Sequence, residues 1–372
     1  MKKILKITMM VFCIIAACDH KGNDKCIIID IEKTLHSDGP KDFILNDIAK
    51  SVTLIPIETN DSILLNHVII EGVTEEYIVA HGGNIGVNKL AIYFINKTNG
   101  KVSSIIDRYG RGPGEYLRIG DVSLNKRDNT VYLSDYTKIN EYTFEGKFIN
   151  SIQNDSIGKV RILNDGNFAV SYHPSKNTEF ALGIYDSSWN LLRRGIPKAE
   201  RDRNFDMMYF DAIFEFNNEF FYKLAHSDTL FRIKSEYDES YLVHSKGRYQ
   251  LPINIKASME QTEREGDKFI QQDFGYLISK FYFLSYYYDN KLYQEIWNID
   301  NSSLMYKSIY SREGGVNGVP VRIGEKSIYV WPTFVSNDAI YCIIQAEDAI
   351  TLIPSLLEDS NPVILEIKLS TF

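Results

Sequence analysis

Apolar and polar residues alternate along most of the chain after residue 50, with a period of two rather than the period of a helix. In "PVILEIKL", near the C-terminus, every second position is apolar and the positions between include Glu366 and Lys368. Successive side chains of a β-strand point to opposite faces, so this pattern predicts strands with one apolar face. Tyrosine (24) and phenylalanine (20), which favour strands, are abundant. The body of the chain is therefore predicted to be all-β.

A unit of four short strands recurs along this body at intervals of roughly 40 to 50 residues, the length of one propeller blade. The clearest copy is "GDVSLNKRDNTVYLSDYTKINEYTFEGKFINSI", and weaker copies include "KLAIYFINKTNGKVSSIID" and "YFLSYYYDNKLYQEIWNIDNSSLMYKSI". The strands predicted in the clearest copy are 122–124, 130–134, 139–144 and 147–152. Dividing the body by this period predicts a β-propeller of about six four-stranded antiparallel blades.

The stretch "DRYGRGPGEY" joins the first predicted blade to the second. Glycine adopts backbone angles that are closed to other residues, and proline fixes its own φ and keeps the preceding residue out of helix. All three glycines are expected to use such angles. We predict an inter-blade connector formed by Gly110, Gly112, Pro113 and Gly114.

The same stretch has an alternative reading as an anion site. Arg108 and Arg111 could hold a carboxylate or sulfate in bidentate fashion if they face an open channel. A phosphate loop is disfavoured, because G-x-x-x-x-G-K-[ST] is absent and no predicted helix follows. The connector is the favoured interpretation, and ligand binding by the two arginines is the lesser one.

The chain begins "MKKILKITMMVFCIIAACDH", in which lysines precede a short apolar run and small residues precede Cys18. This layout is typical of a secretory signal peptide, because the apolar run is too short for a permanent membrane span. The stretch "IAAC" also resembles the lipobox of bacterial lipoproteins, in which cleavage precedes a lipid-carrying cysteine. On that resemblance, residues 1–17 are a lipoprotein signal peptide and Cys18 is the lipid attachment site. The alternative is an ordinary signal peptide with a chance cysteine.

The remaining chain divides into a tether and a body. Residues 18–50 are charged and interrupted by glycine and proline, which predicts a lipidated N-terminus and tether. One apolar piece, 27–31, could dock on the body. Residues 51–372 are predicted to form a single propeller domain.

Closure of the ring is predicted from "VTLIPIET" at 52–59. Pro56 cannot donate a ladder hydrogen bond, so it favours an edge strand. We predict that this segment is the outer strand of a blade completed by "PVILEIKL", so that the two terminal strands close one blade.

The chain resembles a known family through several of these motifs. "GRGPGEY", "VYLSDY" and "GKF" resemble the NHL-type repeat, and the lipobox, "VTLIPIET" and "NPVILEIKL" extend the likeness over nearly the whole chain. The chain as a whole is similar to six-bladed β-propeller lipoproteins of Bacteroidota. The resemblance implies a propeller fold and export to the cell envelope, with anchoring expected at the outer membrane. It implies no particular activity.

Net charge, hydrophobicity and cysteine content limit the partners, membrane spans and disulfides that the chain can have. Loss of residues 1–17 removes three lysines and no acid, which takes the formal net charge from −8 to −11. Such an acidic body argues against nucleic acid as a partner. After Cys18 no segment approaches the ~20 apolar residues that a spanning helix needs. Cys26 and Cys342 could pair in an oxidising compartment, but two free thiols are favoured because "AIYCIIQA" predicts a buried strand.

Two further stretches are distinctive. The aromatic run "FYFLSYYYDN" at 281–290 could present rings to a glycan, but burial between blades is favoured. The stretch "KASMEQTEREGDKFIQQ" at 256–272 has helical composition and is predicted to be an insertion between two blades.

Sequence signatures of catalysis and of metal or cofactor binding are absent. There is no H-x-x-x-H pair, no G-x-S-x-G and no paired-cysteine metal site, and we expect no cofactor. The leading hypothesis is a lipid-anchored binding or interaction module that holds an envelope protein partner, a glycan or a peptide. The alternative is a hydrolase or lyase in which Asp135, Glu141 and Asp211 converge on the central channel.

Overall fold

The computed structural model of the chain describes residues 26–84, 90–135, 137–153, 157–172, 178–197, 212–224, 227–252, 255, 259–336 and 338–370. Nearly all strands in these ranges belong to six sheets, each with four antiparallel strands and in two cases a fifth. The first strands of the six sheets are neighbours in a closed ring, which is the arrangement of a six-bladed β-propeller. The predicted fold is confirmed.

Each sheet is one blade, and its strands follow the chain outward from the central axis. Blade 1 consists of Leu65–Val73, Tyr77–Asn84, Leu90–Asn96 and Val102–Ile106. Blade 2 consists of Asp121–Asn125, Thr130–Ser134, Lys138–Thr143 and Phe148–Gln153. Blade 3 consists of Ile157–Ile162, Phe168–Tyr172, Phe180–Tyr185 and Leu191–Pro197. In blade 2 the predicted strand ends all agree within one residue.

Blades 4 and 5 each carry an additional strand at the outer edge. Blade 4 consists of Ala212–Phe216, Glu219–Lys223, Thr229–Ile233 and Asp238–Ser245, with Ile27–Asp30 added in parallel. Blade 5 consists of Gln271–Ile278, Phe281–Tyr288, Lys291–Asn298 and Ser303–Ser311, with the short Gly314–Gly315 added. A separate hairpin, Val319–Ile323 and Lys326–Val330, follows blade 5.

Blade 6 closes the ring with strands from both ends of the chain. Its order from the axis outward is Phe334–Val335, Ala339–Ile344, Val363–Leu369 and Ala49–Pro56. The last two strands pair antiparallel, with Pro56 opposite Val363 on the outer edge. The predicted closure is confirmed, and Pro56 occupies the edge position where its missing N–H costs no ladder bond.

Both faces of an inner strand are buried, because blades cover each other. In Val363–Leu369, Leu365 and Ile367 pack against blade 5, whereas Ile364 packs against blade 1. Glu366 shares the blade 1 face and is 5% exposed, with its carboxylate 3.0 Å from Lys97 Nζ of blade 1. Glu366, a polar position of the alternating pattern, is therefore buried as an ion pair between two blades.

The helices that the described ranges contain are few and short. They are Ile31–Thr34, Met259–Glu265 and Ala346–Ala349, with single 3-10 turns at Leu45–Asp47, Gly247–Tyr249 and Gly266–Lys268. Met259–Glu265 lies between blades 4 and 5, where a helical insertion was predicted. Of the helices in the described ranges, none has the length and apolar content needed to cross a membrane.

The aromatic run and the cysteines follow the favoured predictions. Phe281 and Phe283 pack toward blade 6, and Tyr282 and Tyr286 pack toward blade 4, so the run serves blade packing. Cys26 and Cys342 are free thiols, and the second lies buried in the strand Ala339–Ile344.

The N-terminal strap, residues 26–48, lies across the outer parts of three blades. Its strand Ile27–Asp30 extends blade 4, and the helix Ile31–Thr34 then leads toward blade 5. Phe43 and Leu45 enter the apolar cluster shared by blades 5 and 6. The expected docking of 27–31 is observed. The folded domain thus begins at least as early as Cys26 rather than at residue 51, because these apolar residues are buried by packing on the blades.

A buried lysine fixes the strap to blade 5. The Nζ of Lys307 donates hydrogen bonds to the backbone carbonyls of Thr34 (2.6 Å), Leu35 (3.0 Å) and Ser37 (3.1 Å). Its counter-ion is Glu295, whose Oε1 lies 3.7 Å away and also accepts from the Thr34 hydroxyl. Neither charged side chain is exposed. Burial lowers the pKa of Lys307 and raises the pKa of Glu295, so each depends on the other to remain charged.

Replacing Lys307 by methionine should lower the free energy of unfolding by about 3 to 5 kcal/mol, because it leaves Glu295 buried without a cation and removes a hydrogen-bond donor from three carbonyls. Urea denaturation of the full chain measures this loss. The matched control is Lys291→Met, since Lys291 forms an exposed pair with Asp289 and should matter little. Equal stability of the two variants would contradict the assignment of Lys307 as a fixed point of the fold.

Candidate functional site

The innermost strands enclose a cavity of about 300 Å³ at one mouth of the central channel. Blades 1, 2, 3, 4 and 6 contribute to its wall, mostly through the last residues of each first strand and the turns that follow. The charged lining residues are Glu71, Lys126, Arg127, Arg161 and Glu215. Such a cavity, formed where several repeats converge and lined by both charged and apolar groups, is the candidate site.

An ion pair joins two non-adjacent blades at this cavity. Lys126 lies in the turn after the first strand of blade 2, and Glu215 lies in the first strand of blade 4. Lys126 Nζ and Glu215 Oε2 are 3.3 Å apart, with side chains 51% and 30% exposed. Both charges are therefore open to solvent and to any molecule that enters.

Two of the three remaining charged groups, Arg161 and Glu71, are held more firmly. Arg161 Nη1 is 2.8 Å from Asp121 Oδ2, and Asp121 is a buried residue at the start of the neighbouring inner strand. Glu71 Oε1 is 2.7 Å from Nδ1 of His81 in the second strand of blade 1. These contacts orient a guanidinium and a carboxylate beside the cavity, so both charges are preorganised for a ligand.

Apolar side chains form the rest of the lining. Val73 and Leu124 come from blades 1 and 2, Phe214 from blade 4 and Phe334 from blade 6. Phe214 is held by ring contacts, stacking on Phe221 at 5.9 Å between centroids. The cavity therefore offers aromatic and aliphatic surface next to charges of both signs.

The structure places the predicted connector residues between blades 1 and 2. Gly110, Gly112, Pro113 and Gly114 all lie in the loop between Val102–Ile106 and Asp121–Asn125. Tyr116, fully buried, anchors this loop, with its hydroxyl 2.8 Å from the carbonyl oxygen of Ile106.

The reason for the glycines differs from the prediction. Only Gly114 has a positive φ, at 66°, while Gly110 and Gly112 do not. The Glu115 side chain folds back over the loop and accepts from Gly112 N–H at 2.7 Å. A Cβ on Gly110 would come within 2.1 Å of Glu115 Oε2. A side chain at Gly110 would displace this carboxylate from its contact with Gly112, so the close approach of Glu115, rather than an unusual φ, disfavours one there.

Arg108 and Arg111 do not belong to the cavity. Both are exposed in the loop that enters blade 2 at Asp121, whereas the cavity lies around the far end of that strand. The structure therefore separates the two arginines from the lining residues. Cys18, the predicted lipid attachment site, lies outside the described residues.

Two of the carboxylates suggested for a channel enzyme, Asp135 and Glu141, do not line the cavity. Asp135 accepts hydrogen bonds from the backbone of Thr137 and Lys138 in a turn, and Glu141 accepts from the Tyr132 hydroxyl. Asp211 lies outside the described residues. Within the described ranges, no group of three or more potential ligand side chains could hold a metal ion.

A dense cluster of charges lies between blades 4 and 5, apart from the cavity. Asp273 receives His244 Nδ1 at 2.5 Å, Lys246 Nζ at 2.6 Å and Lys223 Nζ at 3.1 Å. The other His244 nitrogen is 2.9 Å from the Tyr282 hydroxyl. All of these side chains are buried, so the cluster has no route to a substrate.

Burial sets the charge states in this cluster. It lowers the pKa of His244, although the hydrogen bond to Asp273 acts in the opposite direction. Burial also opposes ionisation of Asp273, but the charges of Lys223 and Lys246 outweigh it and hold the pKa of the carboxyl well below its usual range. The cluster therefore contains a neutral histidine between charged partners, and it stabilises the blade contact.

Sequence reasoning did not find the residues of the cavity. Lys126, Arg161 and Glu215 occur in different repeats, and no local motif surrounds any of them. The sequence does contain a signal, which is the shared position of these three residues in their repeats. Each lies at or just after the end of the first strand of its blade. Aligning the degenerate repeats strand by strand would have placed these residues around one mouth of the channel.

Comparisons with known proteins agree with this architecture. Residues 26–368 match the family described as a domain of unknown function, DUF4934. The chain belongs to the DUF4934 family. The match begins in the strap, which supports its place in the DUF4934 domain. No curated protein shows significant sequence similarity to the chain.

Two solved structures share the fold of this DUF4934 protein. A Bacteroides fragilis protein described as exported has a TM-score of 0.68 at 14% identity, covering 93% of this chain and 100% of its own. A member of the DUF4221 family from Bacteroides vulgatus has a TM-score of 0.52 at 9% identity, covering 87% and 97%. At such identities the likeness concerns the fold alone.

The buried histidine predicts a pH dependence of the DUF4934 fold. Because its folded pKa is depressed, His244 takes up a proton in the unfolded chain first, so stability is lost as pH falls below about 6.5. His244→Gln should remove up to about 1.4 kcal/mol per pH unit of this slope between pH 6 and 5. Denaturant titrations at several pH values measure it. The same replacement at the exposed His67 is the control. An unchanged slope of stability against pH in His244→Gln would refute the assignment of His244 as the source of this dependence.

Proposed function

We propose that the protein is a lipid-anchored binding module of the cell envelope. In this proposal Cys18 carries the lipid, residues 18–25 form the tether, and the outer membrane is the site of attachment. The central cavity holds a peptide, a glycan or a segment of an envelope protein partner. The observation that carries the proposal is the cavity itself, where five blades bring charged and apolar side chains together.

The proposed cellular location rests on the N-terminal sequence. Its charged start, short apolar run and "IAAC" stretch suit a lipoprotein signal. The structural neighbour from Bacteroides fragilis is described as exported, which supports export. The strap is docked from residue 26, so the chain between Cys18 and the propeller is short. We further propose that the "GRGPGEY" connector and blade 2 form an NHL-like repeat.

Binding is favoured over catalysis by the way the ionisable groups are arranged. At the cavity, Arg161 is paired with Asp121, Lys126 with Glu215 and Glu71 with His81. The described cluster that combines a histidine and a carboxylate with lowered pKa values is sealed between blades 4 and 5. A cavity with fixed charges and aromatic surface suits recognition of a ligand.

A substitution that fills the cavity tests the proposed site. Asn164 is an exposed turn residue in the lining, so Asn164→Trp should block entry while leaving the fold intact. Ligand-observed NMR against short peptides and oligosaccharides should show binding by the wild type and at least a tenfold loss in the variant. Asn301→Trp, in an exposed turn of blade 5, is the matched control.

The connector provides a second control for the same measurement. The double variant Arg108→Ala, Arg111→Ala should bind as the wild type does, because neither arginine lines the cavity. Binding that survives Asn164→Trp, or that disappears in the arginine variant at unchanged stability, would move the site away from the channel.

The proposed anchor has its own test. Metabolic labelling with an alkyne fatty acid should label the wild type and not Cys18→Ala, because in this proposal the Cys18 sulfur carries the diacylglyceryl group. Membrane fractionation should then find the variant in the soluble fraction. Cys26→Ala is the control, and equal labelling of Cys18→Ala and wild type would exclude Cys18 as the lipid site.

A further inference from the structure

We propose that the cavity takes a small zwitterionic ligand, a short peptide with free termini and an apolar side chain. This inference rests on the proposed function, because it names the class of ligand bound at the same site. It starts from the two opposite charges that pair with each other at the cavity, Lys126 of blade 2 and Glu215 of blade 4.

The ion pair between Lys126 and Glu215 can be replaced by ion pairs between each residue and a ligand. Its 3.3 Å contact spans two blades that are not adjacent, and both side chains are substantially exposed. Exposed pairs of this kind contribute little to stability, so separating them costs little. A ligand that separates them must then compensate both charges. A carboxylate next to Lys126 and an ammonium next to Glu215 do so together, whereas a ligand with one charge leaves the other group unpaired.

Arg161 adds a second, more rigid anchor for the carboxylate. Its Nη1 is engaged by Asp121 Oδ2 at 2.8 Å and by the carbonyl oxygen of Val160 at 2.6 Å. The guanidinium is thereby fixed in orientation and is 17% exposed where it lines the cavity. A planar guanidinium held in this way recognises carboxylates well. Lys126 and Arg161 therefore both lie on the wall formed by blades 2 and 3.

Size and apolar surface restrict the ligand further. The volume of about 300 Å³ is at the lower end of the range of ligand pockets, roughly 300–1,000 Å³. Phe214 and Phe334 supply aromatic surface in the same cavity. An apolar side chain between the two ligand charges can pack there and be removed from water. A dipeptide with an aliphatic side chain combines all three features.

The test compares four probes on the full chain by isothermal titration calorimetry. They are the dipeptide Ala-Leu, its N-acetylated form, its C-terminal amide, and the neutral sugar cellobiose. The free dipeptide is expected to bind at least tenfold more tightly than each of the other three. Lys126→Gln should weaken discrimination against the amide, because the carboxylate partner is reduced. Glu215→Gln should weaken discrimination against the acetylated peptide, because the ammonium partner is lost.

The matched control is the double variant Lys291→Gln, Asp289→Asn, which removes an exposed ion pair in blade 5 and should leave both preferences unchanged. If cellobiose or a blocked peptide binds as tightly as Ala-Leu and Asn164→Trp abolishes it, the zwitterion inference is overturned while the proposed site stands. If Ala-Leu binds equally well to Asn164→Trp, the proposed site itself is overturned. Absence of binding by Ala-Leu overturns the inference.

Discussion

Closure of the ring at blade 6 is the constraint on which the rest of this structure depends. The strand Val363–Leu369 pairs with Ala49–Pro56 on one side and with Ala339–Ile344 on the other. Its side chains face blade 5 on one side and blade 1 on the other, so it completes two apolar clusters at once. Opening this blade would expose the faces of both neighbours. Each of the other blades is then covered on both faces by its neighbours. This mutual burial is what makes a propeller of small sheets one cooperative unit.

Charges inside the blade contacts add specificity to this packing. Glu366 with Lys97, and Asp273 with His244 and two lysines, each join two different blades. A buried charge is tolerated only with its partner in place, so these contacts penalise wrong pairing of blades more than they add stability. The N-terminal strap uses the same device, because a lysine of blade 5 caps its carbonyls. The cavity differs from these contacts, because its Lys126–Glu215 ion pair is exposed to solvent and can be separated at little cost.

Much of the architecture could be predicted because strand alternation and turn residues act locally. In blade 2, Thr130–Ser134 was placed to the residue and the other strands within one residue. The role of Pro56 at an edge also followed from its missing donor. Composition places the strap in the predicted tether, because charge and glycine content do not reveal that a segment packs on the blades. Gly110 was given a conformational role, whereas its constraint comes from the side chain of Glu115.

By itself, the sequence determined the strands, their grouping into about six blades and the pairing of the terminal strands, because the side-chain period reports the local backbone. It also indicated a signal for export and a lipid site at Cys18. Only the tertiary structure decided which charges meet. Lys126 and Glu215, or Thr34 and Glu295, are far apart in the chain, and they meet because the ring brings separate blades together. No local pattern encodes such a contact, because it depends on the curvature and closure of all six sheets.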